Sequence, residues 1–302
     1  MKMNLRHPLR VIVPLGGAVV AGALGIAAYT GYHLNGPTRR RFLDGYTFSP
    51  WEVQVDYEPV EWTVEGATIR GWWLPQPASR QVVIGCTGHR GAKHELLGIG
   101  SGLWRAGYNV LLFDFRGRGE SDGDACSLAF HELADLRGAV AYTLERMPEA
   151  ELGVIGYSMG AAVALLVTAS EPRIRAVVAD APFASIRRVV GSAYTRRRVP
   201  AGAMLRLSDS INRWRYGYGY GAVQPVDAVA AIAPRPLLLI HGSEDRTIPL
   251  DHSEEIYAAA GEPKELWVIP GAGHCAAYFV DRAAYVARVS AFFERSLSAE
   301  HG

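Results

Sequence analysis

Leu152-Gly153-Val154-Ile155-Gly156-Tyr157-Ser158-Met159-Gly160 is the stretch on which the fold turns. Leu152–Ile155 is a short apolar run with the length of a buried strand. Ala161–Ser170, just beyond, is alanine-rich and reads as a helix. A G-x-S-x-G turn joins them. A serine at such a corner sits in a strained backbone state, and the flanking glycines let strand and helix approach without a Cβ in the way. The start of the helix then points free N–H groups at any negative charge that develops there. Ser158 is therefore the expected nucleophile. The plainer alternative is a tight turn whose serine only caps the helix.

Outward from this corner the chain keeps alternating. Short apolar runs predict parallel strands at Val82–Gly85, Val110–Phe113, Ala176–Ala179, Pro236–Ile240 and Leu266–Ile269, with helices such as Leu128–Arg146 between them. Upstream, Glu61–Val64 and Thr68–Trp72 flank Gly66 as a hairpin. The expected class is α/β, a mostly parallel sheet with helices on both faces. The alternation breaks at about 185–228, an insertion holding eight arginines from Arg187 to Arg215. Its expected role is a lid over the site. The alternatives are a solvated basic face and a surface drawn to anionic lipid.

A serine hydroxyl needs a base, and the base needs an orienting acid. On such a sheet the order along the chain is serine, acid, histidine, with the site at the strands' carboxyl ends. His274 follows Gly271-Ala272-Gly273 after the last strand and is the expected base, ahead of His241, His252 and His301. Asp245, after the Pro236–Ile240 strand, is the expected acid. Asp180 is the alternative acid, and Glu244 a minor rival. Two backbone donors must hold an oxyanion. Met159 N–H supplies one. The other falls in the loop Cys86-Thr87-Gly88-His89-Arg90-Gly91, where His89 is assigned and Arg90 is its near rival.

The N-terminus stands apart. Val11–Thr30 is uncharged and mostly apolar, long enough at roughly 1.5 Å per residue to cross a ~30 Å hydrocarbon core. The expected division is a membrane anchor at 1–34, a linker at 35–51 and the main domain at 52–302. That makes the protein single-pass in the membrane (the cell membrane, if bacterial). A cleaved signal peptide followed by secretion is the competing reading. Arginines flank the run on both sides, so charge gives no orientation.

Bulk composition sets the remaining bounds. The 302 residues are 49% hydrophobic and carry a formal net charge of +1, which suits one large core and gives no sign of a nucleic-acid partner. Three cysteines without regular spacing make neither a disulfide framework nor a metal site.

Gly71-Trp72-Trp73-Leu74-Pro75, Asp114-Phe115-Arg116-Gly117-Arg118-Gly119-Glu120-Ser121, the Gly156–Gly160 elbow, His241-Gly242-Ser243-Glu244-Asp245-Arg246-Thr247-Ile248-Pro249 and Gly271-Ala272-Gly273-His274 together resemble the α/β-hydrolase superfamily, in its serine aminopeptidase-like and bacterial esterase-like branch. The resemblance runs from about Glu61 to the final helix. It implies a Ser158–Asp245–His274 triad and no metal or organic cofactor. One departure is visible: Thr87-Gly88 stands where the branch usually has His-Gly. The expected function is cleavage of a carboxylic ester in a small or lipid-like acyl substrate through an acyl-serine. The alternatives are an amidase, peptidase or thioesterase on the same residues, and a non-catalytic, membrane-tethered binding module.

Overall fold

The computed structural model describes residues 8–36, 48–123 and 126–298, of which 8–18 are described as backbone only. Residues 37–47 of the expected linker and His301 lie outside the described residues.

Eight strands make one sheet. They are β1 (Glu58–Val64), β2 (Ala67–Leu74), β3 (Gln81–Cys86), β4 (Asn109–Phe113), β5 (Glu151–Tyr157), β6 (Ile174–Asp180), β7 (Leu237–Gly242) and β8 (Lys264–Ile269). Their order is β1-β2-β4-β3-β5-β6-β7-β8. The hairpin β1–β2 and the β2–β4 pair are antiparallel, and every other pair is parallel. The helices are α1 (Pro8–Asn35), α2 (Leu97–Arg105), α3 (Glu132–Arg146), α4 (Met159–Ser170), α5 (Ile186–Arg196), α6 (Ala201–Tyr216), α7 (Pro225–Ala228), α8 (Asp251–Ala259), α9 (Ala277–Val280) and α10 (Arg282–Leu297).

The central strands β3 to β7 are mostly apolar because both of their faces are covered. Val82, Ile84, Leu111, Phe113, Leu152 and Val154 turn to one core, shared with α3 and α4. Val83, Val110, Leu112, Ile155 and Tyr157 turn to the other, shared with α2 and α10. This is the period of two of a strand, read on two buried sides. Each aliphatic or aromatic side chain so buried contributes roughly 1.5–3 kcal/mol. One buried charge is paired within this core. Lys93 reaches Asp114 at 2.6 Å, with both side chains under 5% exposed, and Lys93 Nζ also meets Glu120. That knot fastens the Asp114–Ser121 motif to the segment that follows the β3 loop.

The expected insertion is α5, α6 and α7, between β6 and β7, and its α7 end packs on α4.

The expected membrane anchor and single-pass membrane localisation are corrected. Among the described residues no helix is long and apolar enough to cross a membrane. The described half of α1 is instead a packing element. Ala27 is fully buried, Thr30 Oγ1 accepts from the Tyr194 hydroxyl at 2.9 Å, and Asn35 is buried against α6. The partner of α1 is the insertion, through α6.

Candidate active site

Ser158 has φ 52° and ψ −114° at the corner between β5 and α4. A non-glycine residue there is strained and stays only because its surroundings over-determine it. Two contacts do so. A Cβ on Gly156 would come within 2.2 Å of Gly160 O, and one on Gly160 within 2.4 Å of Cys86 O and Thr87 O. The two elbow glycines thus let β5, α4 and the end of β3 close on one another. Ser158 N–H is held by Asp180 O at 2.8 Å.

His274 lies on the loop after β8, as expected. The Ser158 hydroxyl donates to His274 Nε2 at 2.9 Å, and His274 Nδ1 donates to Asp245 Oδ2 at 2.6 Å. Asp245 Oδ1 accepts from the N–H groups of Thr247 and Ile248 at 2.8 and 2.9 Å. Burial alone would push the Asp245 carboxyl up. Bonds from His241 and His274, the charge of His274 and the Ile248 N–H outweigh it and hold the carboxyl well below its usual range. Asp245 is therefore a fixed anion behind the imidazole.

The other candidates fall elsewhere. Asp180 is wholly buried at the end of β6, and its Oδ2 accepts from the Tyr285 hydroxyl at 2.8 Å; Tyr285 in turn meets the Tyr157 hydroxyl at 3.1 Å. Burial, opposed by the Tyr285 bond, raises the Asp180 carboxyl to about 7. Glu244 is exposed and engages only through its backbone N–H, bonded to Ala272 O. His252 Nδ1 accepts from Ala184 N–H. His241 is fully buried, bonded to Ser253 Oγ and Ile248 O, with Nε2 3.4 Å from Asp245 Oδ2. It braces the acid. Its place four residues before Asp245 is the signal in the sequence for that contact.

Gly88 brings the loop after β3 against the nucleophile, since a Cβ on it would lie 3.6 Å from Ser158 Cβ. Gly91 N–H bonds to Gly88 O at 3.0 Å and closes a turn over His89 and Arg90. Met159 follows Ser158 as the first residue of α4. Thr87, at the position where His is usual, is buried with no partner for its hydroxyl.

Ser158 and His274 open on a cavity of about 610 Å³. Leu96, Ile99, Tyr278 and Phe279 give it apolar walls, and His89, Glu95, Thr247 and Cys275 also line it. No residue of 185–228 lines it. Among the described residues no cluster of His, Cys, Asp or Glu is placed to hold a metal ion. All three cysteines are free thiols.

Residues 77–216 match the model of a family described as serine aminopeptidase, S33. The chain is 32% identical over 243 residues to the uncharacterized protein YfhR of Escherichia coli O157:H7, covering 77% of each chain. It is also 32% identical over 194 residues to the uncharacterized protein YqkD of Bacillus subtilis, covering 62% of this chain and 63% of that one. Among solved structures it is similar to the esterase Pf2001 of Pyrococcus furiosus, with TM-score 0.72 and 26% identity over 87% of this chain and 98% of that one.

Proposed function

The chain belongs to the α/β-hydrolase superfamily of serine hydrolases, and from that premise we propose that it cleaves carboxylic esters with Ser158 as nucleophile, His274 as base and Asp245 as orienting acid. The observation that carries this reading is the unbroken relay from Ser158 Oγ to His274 Nε2 at 2.9 Å and from His274 Nδ1 to Asp245 Oδ2 at 2.6 Å, set at the mouth of an apolar cavity.

In this reading Ser158 Oγ attacks the substrate carbonyl while His274 takes the hydroxyl proton. Asp245, held as an anion, stabilises the imidazolium and keeps its Nδ1–H in place. The N–H groups of Met159 and His89 hold the oxyanion of the tetrahedral intermediate. His274 then protonates the departing alcohol, leaving an acyl-serine. Water, deprotonated by His274, releases the acid and restores the serine.

The apolar walls support an ester with an uncharged acyl chain, and the likeness to an esterase supports the ester bond. What supports a lid role for 185–228 is its place in the chain, directly after the strand that ends beside the elbow at Asp180. It lines no part of the cavity, so a lid role requires it to move.

The test is direct. Ser158→Ala should abolish hydrolysis of p-nitrophenyl esters and labelling by a fluorophosphonate. Labelling that persists in this variant would remove Ser158 from the reaction. A panel of esters, amides and thioesters of matched chain length then ranks the bond cleaved.

A further inference from the structure

We propose that α1 is a working part of the catalytic centre: its last carbonyls anchor Arg90, and Arg90 positions the loop that presents the His89 N–H. The inference rests on the reading of that loop as the oxyanion site.

The loop's own geometry poses the problem. Gly88, His89, Arg90 and Gly91 form a four-residue turn closed by Gly91 N–H to Gly88 O. Its third residue, Arg90, has φ 65°. That position in a turn with positive φ belongs by preference to Gly or Asn, because a Cβ is crowded there. An arginine holds it only if something outside the turn fixes it. The turn's hydrogen bond uses Gly88 O and Gly91 N–H and leaves the His89 N–H out of the pair. The set of the turn therefore decides where that donor lies.

The anchor is the end of α1. A helix leaves its last carbonyls without intrahelical partners. Here Arg90 Nη2 donates to His33 O at 2.6 Å, and Cys126 Sγ faces Leu34 O at 3.8 Å and His89 Nδ1 at 4.0 Å. Two successive orphan carbonyls of α1 thus meet the turn, one directly and one through a buried thiol. The negative end of the helix dipole favours the guanidinium in this place.

The far side of α1 is fixed too. Asn35 Nδ2 donates to Asn212 Oδ1 at 2.8 Å, the Tyr218 hydroxyl donates to Asn35 Oδ1 at 2.7 Å, and Asn212 Nδ2 donates to Tyr218 O at 2.7 Å. All three residues are at most 2% exposed. The helix end cannot shift without opening this buried cycle, so the insertion, α1, Arg90 and the His89 N–H form one mechanical series.

Arg90→Ala tests the anchor, because alanine keeps the Cβ at the positive φ and loses only the guanidinium that reaches His33 O. The expected result is a kcat for a p-nitrophenyl ester lowered ten- to a hundredfold with KM within about twofold. That is the signature of a displaced oxyanion donor, since small misplacements act on the transition state alone. Arg90→Lys, which keeps a long cationic donor, should recover most of the rate. Asn35→Ala should lower kcat in the same direction, and the Arg90→Ala/Asn35→Ala double variant should be no slower than Arg90→Ala, because both break one series. If Asn35→Ala does not fold, Tyr218→Phe removes a single hydroxyl of the same cycle and takes its place. A kcat for Arg90→Ala within twofold of the parent overturns the proposal, as does full additivity in the double variant. Failure of the serine hydrolase reading looks different: Ser158→Ala would stay active whatever Arg90 does.

Discussion

The Tyr285 hydroxyl donates to Asp180 Oδ2 at 2.8 Å, so the alternative acid is engaged by a tyrosine while His274 Nδ1 donates to Asp245. Its other oxygen, Asp180 Oδ1, is buried without a partner. Burial pushes the group up to about 7, against an ordinary value of 3.8. The folded protein therefore keeps this proton where the unfolded chain has lost it, and stability falls as pH rises from about 4 to about 7. By linkage the loss reaches up to about 4 kcal/mol. Asp180→Asn keeps an acceptor for Tyr285 and removes the titration. The difference in Tm between variant and parent should grow in favour of the variant across that window, as followed by thermal unfolding at stepped pH. A difference that stays flat would mean the carboxyl titrates normally.

Asp245→Asn should lower kcat by about 10³- to 10⁴-fold with little change in KM, because an amide there loses the anion and favours the wrong imidazole tautomer. Steady-state kinetics on a p-nitrophenyl ester measure it. A loss under tenfold would hand the acid's role to another residue.

Gly160→Ala should cost about 1–3 kcal/mol and most of the activity. The added methyl would meet the backbone oxygens of Cys86 and Thr87 at 2.4 Å, and a backbone cannot step aside as a side chain can. Gly202→Ala in α6 is the control, since nothing lies within 4 Å of its Cβ position. Denaturant melts of the two variants should separate clearly; equal midpoints would show that the elbow is not as tight as drawn.

Phe279→Ala should act on substrate and leave the fold alone. The ring lines the cavity yet is 67% exposed, so folding stability should move by no more than about 0.5 kcal/mol. Long acyl esters should lose about fivefold to twentyfold in kcat/KM, given roughly 25 cal/mol per Å² of apolar contact, while acetate esters change little. Equal losses at every chain length would place the acyl chain elsewhere.

The central strands β3 to β7 could be read from the sequence because they are buried on both faces and so appear as largely apolar runs. The ends could not. β6 continues to Asp180 because its backbone pairs with Ile240 whatever side chain it carries. The helix expected from Leu128 starts at Glu132, since Ser127 Oγ takes the N–H groups of Phe130 and His131 at 3.0 and 2.7 Å and Glu132 holds Ser127. In the site, the elbow and the Gly-Ala-Gly-His loop are local patterns and were legible. Asp245 and Asp180 look alike in sequence, because each follows an apolar strand run. What separates them is which one His274 reaches and which one Tyr285 occupies, and Tyr285 lies 105 residues beyond Asp180. The fate of α1 was least legible, because Asn35 finds its partner 177 residues away.

The cycle of Asn35, Asn212 and Tyr218 also bears on inheritance. A lineage that remodels 185–228 cannot do so freely, since a new α6 without Asn212 strands a buried amide in α1. Substitutions at these three positions should therefore travel together through descent, while the sheet changes at its own pace. An engineer grafting a foreign insertion onto this scaffold faces the same bond: the graft should succeed when residues 8–36 are exchanged with it, as two parts of a single heritable unit.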